Sequence, residues 1–232
     1  MNWEQEILLI DKPKGITSFD VIRRLRRRYS AEHEGVKAPK MGHAGTLDPL
    51  ATGLMIIGVG KGTKQLTSLT KLEKEYVAEV RLGERRSTGD LEGEVLEVKD
   101  VVEVAEILQS KISAILTDML GELTLPVSAY SAIKVDGIPM YKRARKAERK
   151  GEVVTEVPVR TMRVDEVGLV DVSVGGGRAV ATIRFAVGSG TYIRSLAEEL
   201  GRRLGYPATL QNLHRTRVGE FAVKDAYTLQ NK

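Results

Sequence analysis

Twelve residues, Gly42-His43-Ala44-Gly45-Thr46-Leu47-Asp48-Pro49-Leu50-Ala51-Thr52-Gly53, constrain this chain more than any other stretch. Gly42 and Gly45 can take positive φ or admit a ligand close to the backbone, while Pro49 fixes its own φ and pushes Asp48 toward extended geometry. The apolar run that follows, Leu54-Met55-Ile56-Ile57-Gly58-Val59, reads as a buried strand that anchors the loop from one side. Asp48 is therefore a carboxylate on a braced loop, a setting that suits nucleophilic chemistry. An ordinary Asp-Pro turn, with the Asp bonded to its own backbone, is the plainer reading of the same residues.

What surrounds that loop narrows the chemistry. With 232 residues, 42% of them apolar, the chain can build a sizeable core. It has no cysteine, and its three histidines, His33, His43 and His214, show no ligand spacing, so neither a disulfide framework nor a metal centre is expected. No apolar run reaches transmembrane length and no cleavable signal pattern opens the chain, which points to the cytoplasm. A net charge of +5 is modest, but its distribution is not even. Arg23, Arg24, Arg26, Arg27 and Arg28 crowd one segment, and Lys134, Lys142, Arg143, Arg145, Lys146, Arg149 and Lys150 crowd a second, as expected for a polyanion partner.

Along the chain, residues 6–10 read as a short strand, and Thr17-Ser18 as the N-cap of a helix whose apolar stripe is Val21, Ile22, Leu25 and Tyr29. Ser30 to Lys40 reads as a loop. Gly58-Val59-Gly60-Lys61-Gly62-Thr63-Lys64 fits neither phosphate-cradle spacing, so no nucleotide cofactor is expected; Lys61 and Lys64 serve either an RNA phosphate or an exposed helix start. Alternation over Glu75 to Leu82 puts Tyr76, Ala78, Val80 and Leu82 on one strand face. Helical spacing runs from Val101 to Thr117, and two strand-like runs, Met162 to Val172 and Arg178 to Val187, meet at Gly175-Gly176-Gly177 in a hairpin. A last helix carries Ile193, Leu196, Leu200 and Leu204 and stops at Gly205 and Pro207.

The central stretch resembles the GHxGxLDPxAxGxL motif of the TruB family of tRNA pseudouridine synthases. Other segments resemble that family's motifs in the same order: Lys12-Pro13-Lys14-Gly15-Ile16-Thr17-Ser18, Lys74-Glu75-Tyr76, Thr88-Gly89-Asp90, Leu125 to Lys134 with Val127 where a second proline is usual, Gly190-Thr191-Tyr192-Ile193-Arg194, and Leu213-His214-Arg215 before Gly219. The likeness runs from about Ile7 to Tyr227. It implies an α+β pseudouridine synthase fold: a mixed, largely antiparallel sheet flanked by helices, one domain over 1–232 with a thumb-like insertion at about 125–152. Family members commonly carry a small C-terminal RNA-binding domain beyond this point, and since the chain stops at Lys232 no C-terminal PUA-like domain is expected. It implies that Asp48 attacks the target nucleotide, that Arg194 pairs with Asp48, that Tyr76 lies against the flipped base and that Tyr192 closes the pocket. His43, Asp90 and Leu213 join the substrate site, and Lys12, Lys64, Arg143 and Lys146 meet RNA. His214 is left as a surface or RNA contact. The implied substrate is uridine 55 in the TΨC arm of tRNA, modified without a cofactor by a monomer. A guide-RNA-dependent rRNA pseudouridine synthase and a non-catalytic RNA-binding module are the alternatives.

Overall fold

The structure, a computed structural model, describes residues 1–150, 152, 154 and 156–229. Gly151 of the expected insertion and the last three residues of the expected domain lie outside them. In chain order, β1 (Ile7–Lys12) leads to α1 (Ser18–Glu32), β2 (Met41–His43) and β3 (Thr52–Val59). A 3₁₀ turn (Gly60–Gln65) precedes α2 (Leu66–Thr70), β4 (Lys74–Leu82), β5 (Glu84–Arg86), β6 (Val95–Val98), α3 (Ala105–Thr117) and β7 (Gly121–Pro126). The short strands β8 (Lys134–Val135) and β9 (Ile138–Pro139) precede α4 (Met140–Glu148). The hairpin β10 (Val159–Gly175) and β11 (Arg178–Val187), α5 (Ile193–Leu204), β12 (Ala208–Val218), β13 (Phe221–Ala222) and β14 (Tyr227–Thr228) complete it. This is a mixed α+β fold with a large, mostly antiparallel sheet, as expected.

The residues divide into two compact units interleaved along the chain: Met1–Val77, Arg184–Ser189 and Asn212–Lys232 form the first, Ala78–Ile183 and Gly190–Gln211 the second. In the first, β1 pairs antiparallel with β3 and parallel with β14, and β3 pairs antiparallel with β2 and parallel with β12 at His214 and Arg215. Every residue of β3 after Thr52 is buried, so the apolar run is the central strand its composition requires. Ala44, Leu54, Ile56 and Val218 form a core there, against which Ile7, Leu9, Leu66 and Phe221 pack. In the second, β10 pairs antiparallel with β7, and α3 buries Leu108, Ile112 and Leu116.

Two boundaries differ from the periodicity. The segment expected as a loop from Ser30 is helical to Glu32, because an Arg28–Glu32 ion pair at 2.7 Å and a Tyr29–His33 ring stack at 4.0 Å extend α1 by another turn. The helix expected from Val101 starts at Ala105. Val101 donates its N–H to Gly177 O at 3.0 Å, and Val104 is extended at φ −75° and ψ 157°. The β-branched residues before Ala105 favour that backbone, so the apolar spacing continues past the end of the helix.

The departure from the usual proline at Val127 has a structural counterpart. Val127 is buried and donates its N–H to Pro158 O at 2.8 Å, a bond that proline could not make. The loop is thus held by a hydrogen bond rather than by ring stiffness.

Candidate active site

The first unit holds the Asp48 loop. Ser18 fastens its front: Leu47 N donates to Ser18 Oγ at 2.8 Å, and Ser18 Oγ–H returns to Leu47 O at 2.9 Å. Gly15 N donates to Pro49 O at 2.8 Å, Ala51 N to Asp48 O at 3.1 Å and Ala44 N to Ile56 O at 2.9 Å, so backbone bonds hold the segment on either side of the carboxylate. Gly45 has φ +94°, where a side chain is strained. Gly53 has φ +101°, and a Cβ there would lie 2.3 Å from Arg215 O, so only glycine fits.

Two buried cations brace the loop from beneath. Lys12 is fully buried, and its Nζ donates to Pro13 O at 2.9 Å, Ile16 O at 2.8 Å and Pro49 O at 3.3 Å. This corrects the expectation that Lys12 faces RNA: an ammonium buried to this depth, with three carbonyls about it, ties the first turn to the Asp48 loop. Arg215 is 1% exposed; its Nε donates to Leu54 O at 2.7 Å and its Nη2 to Gly45 O at 3.2 Å. The final sequence motif contains Arg215, but its acceptors are distant backbone carbonyls that the sequence does not mark.

His43, Tyr76 and Leu213 belong to the same unit. Tyr76 and Leu213 are buried, and β4 alternates as its sequence predicts. His43 Nδ1 is buried without a hydrogen-bond partner. Burial, and next the positive charge of Arg215, hold the His43 pKa below its usual range, with the Gly45 backbone opposing, so the ring is neutral near pH 7. His214 is half-buried, with Nδ1 2.8 Å from Thr52 Oγ1. Lys74, the first residue of the tyrosine motif, is buried and donates to Thr70 O and Leu72 O, both at 2.5 Å. Burial first, then Arg215, push its pKa down to about 8. Lys64 is exposed in the last turn of the 3₁₀ segment, which suits either reading made of it.

The second unit holds the other polar set. Arg194 sits in the first turn of α5, 6% exposed rather than on an open helix face. Its Nη1 donates to Thr88 O at 2.8 Å and lies 3.7 Å from Asp90 Oδ2, while Nη2 donates to Tyr130 O at 3.3 Å. Asp90 accepts from Thr88 Oγ1 at 2.6 Å and from Glu92 N at 3.1 Å, so it combines turn chemistry with a charged neighbour. Glu198 stands at the same place: a Cβ on Gly89 would lie 3.2 Å from its Oε1. Burial pushes the Glu198 carboxyl up, with Arg194 and then Arg85 opposing. Nothing in the sequence motifs marked Glu198. Tyr192 is the N-cap residue of α5 and half-buried.

Of the insertion's cations, Lys146 is exposed in the last turn of α4, whereas Arg143 is half-buried, with Nη2 2.6 Å from Val135 O and 2.8 Å from Asp136 Oδ2. Arg143 holds the β8–β9 hairpin. Among the described residues no cluster of His, Asp and Glu could hold a metal ion, and no helix is long and apolar enough to cross a membrane.

Comparison with known proteins places this geometry in a family. The family model described as TruB family pseudouridylate synthase (N terminal domain) matches residues 32–193. The tRNA pseudouridine synthase B of Leifsonia xyli subsp. xyli is 43% identical over 223 residues, 96% of this chain and 70% of its own length. That of Corynebacterium diphtheriae is 38% identical over 224 residues, 97% of this chain and 71% of its own. Among solved structures, a chain of an H/ACA RNP bound to a substrate RNA containing 2′-deoxyuridine superposes with TM-score 0.63 at 25% identity over 96% of this chain. A chain of a Cbf5-Nop10-Gar1 complex gives 0.64 at 25% identity over 96%. This chain spans about half the length of those two solved chains, 50% and 52%. The chain belongs to the TruB family of pseudouridine synthases, which are isomerases.

Proposed function

We propose that this protein isomerises uridine to pseudouridine in tRNA, at position 55 in the TΨC arm, with Asp48 as the nucleophile. The observation that carries the reading is the Asp48 loop, whose backbone is bonded through Leu47, Asp48 and Pro49 and whose floor holds the buried ammonium of Lys12. A loop so constrained presents its carboxylate without reorganisation, as covalent attack in a preorganised site requires.

The chemistry matches what these residues offer. The product is an isomer of the substrate: the glycosidic N1–C1′ bond breaks, a C5–C1′ bond forms, and the proton lost from C5 is balanced by one gained at N1. No oxidant or group donor enters, so carboxylate, proton-transfer groups and a shaped pocket suffice. A uridine in folded RNA must leave its stack, at roughly a few kcal/mol, and apolar and aromatic walls offset that cost. Tyr76 and Leu213 are assigned that role. A neutral His43 imidazole would fill space near the displaced nucleotide without placing a charge there. Arg194 is assigned the cation that keeps Asp48 ionised; the motif carries this assignment, and its buried, carbonyl-bonded guanidinium is in keeping with it.

The relatives at 38% and 43% identity are tRNA pseudouridine synthases B, whereas the chain from the H/ACA RNP with its substrate RNA lies at 25%, which favours tRNA as the substrate. The test is to incubate the purified protein with an unmodified tRNA transcript, without guide RNA or partner proteins, and to map pseudouridine by sequencing. Conversion at the TΨC-arm uridine is expected. No conversion, or conversion only at another site, contradicts the proposal.

A further inference from the structure

The arginines of α1 are not equivalent. Arg23 is ion-paired to Asp20 and Arg28 to Glu32, so the charges of these two are answered within the helix. Among the described residues Arg26 donates only a long bond, 3.4 Å, to Met41 O. Arg27, Lys37 and Lys40 have no ion pair among the described residues. These last four cations share one place: with Ser30, Ala38 and Pro39 they line a groove of about 700 Å³ in the first unit. No carboxylate contributes to its lining.

Both walls of the groove are set by the fold. The Arg26 and Arg27 side is helix, and the Lys40 side is fixed where Gly60 N donates to Lys40 O at 2.8 Å, immediately before β2 and His43. Cations gathered in a concave site without counter-charge repel one another and raise the local anion concentration. The volume decides which anion. A single inorganic phosphate, comparable to a few water volumes of about 30 Å³ each, leaves most of the groove empty, whereas a run of backbone phosphates offers several charges to a lining that carries four cations.

We infer that this groove binds the phosphodiester backbone of the substrate RNA, at a place separate from the Asp48 loop and without reading sequence. The inference rests on the proposed tRNA activity and adds to it a docking site. Phosphate contacts position an RNA without touching the reacting base, so the groove governs KM and leaves kcat alone.

The test compares two double variants that remove the same charge. Arg27→Ala/Lys40→Ala removes two of the four groove cations, while Arg23→Ala/Arg28→Ala removes the paired arginines of the same helix. Pseudouridine formation in full tRNA is followed at several salt concentrations between 50 and 200 mM. For the groove variant, KM should rise about tenfold or more at 50 mM with kcat within twofold of the unaltered protein. The slope of log affinity against log salt should shrink by roughly 1.4 to 1.8, the release expected from two lost phosphate contacts. The control variant should keep both quantities. Equal losses in the two variants, an unchanged groove variant, or a fall in kcat instead of a rise in KM would each overturn the docking site. Inorganic phosphate at 10 mM, set against chloride of the same ionic strength, should not compete. Competition would make the groove a small-anion site instead. If the unaltered protein makes no pseudouridine in tRNA, the tRNA reading itself fails; activity with an indifferent groove variant defeats only the docking site.

Discussion

Two sets of cations in the first unit have opposite surroundings. Lys12, Lys74 and Arg215 are buried, and each donates to backbone carbonyls around the Asp48 and Tyr76 segments. Arg27, Lys37 and Lys40 are exposed and have no ion pair among the described residues. The first set fixes backbone, which on the proposed function serves the Asp48 loop, and the second offers charge to the proposed RNA. A composition count treats them alike. Burial separates them, because an ammonium or guanidinium out of water must find acceptors within the fold, while an exposed one keeps its charge for a partner.

Replacing a member of the buried set should have the largest effect on stability. Arg215→Met leaves Leu54 O and Gly45 O without their donors in a water-free place, which should cost about 2 to 4 kcal/mol. In a chain of this size that corresponds to a fall in Tm of roughly 5 to 15 °C, measured by calorimetry. A change under about 0.5 kcal/mol would erase the distinction between the two sets.

Arg194→Lys probes a buried guanidinium in the second unit. Lysine cannot span Thr88 O and Tyr130 O as a planar fork does, so kcat/KM on tRNA should fall at least tenfold. Activity within about twofold of the unaltered protein would remove Arg194 from the catalytic account. Val127→Pro deletes the N–H donated to Pro158 O, and should lower stability by about 1 kcal/mol in urea unfolding. A gain would mean that ring stiffness outweighs the bond.

The smallest effect is one of pH. Lys74 titrates near 8 when folded against 10.5 unfolded, so the unfolded chain binds more protons between those values and stability rises with pH there. The destabilisation is fully present below pH 8. The Lys74→Met variant should lack this rise, so the urea midpoint of the unaltered protein, measured relative to that of the variant, should increase between pH 8 and 10.5. A difference independent of pH would show Lys74 to be an ordinary cation.

How much of this was legible in the sequence depended on whether a residue's role is local. The N-cap at Thr17, the buried β3 run and the stop at Gly205 are all short-range, and the sequence shows them directly; the reciprocal bond from Thr17 N to Asp20 Oδ2 completes that cap in the structure. The Asp48 loop was legible as a motif, and its glycines explain why. Lys12 was misread and Arg215 was given no role because their distant acceptors are backbone atoms, 37 positions away for Lys12 and 170 for Arg215, and carbonyls have no side-chain signature to read. The start of α3 was missed for the reverse reason, since apolar spacing persists where Gly177 O has already drawn Val101 into an extended path.

The claim on which the rest depends is that Asp48 does the chemistry and the buried cations only hold it. Asp48→Asn keeps the size of the side chain and should leave the thermal transition and tRNA affinity near those of the unaltered protein. A single-turnover assay with excess protein over tRNA measures its chemical step directly. The account predicts no pseudouridine above the no-protein background, because an amide is not a nucleophile. Measurable conversion by a folded, tRNA-binding Asp48→Asn protein would contradict it.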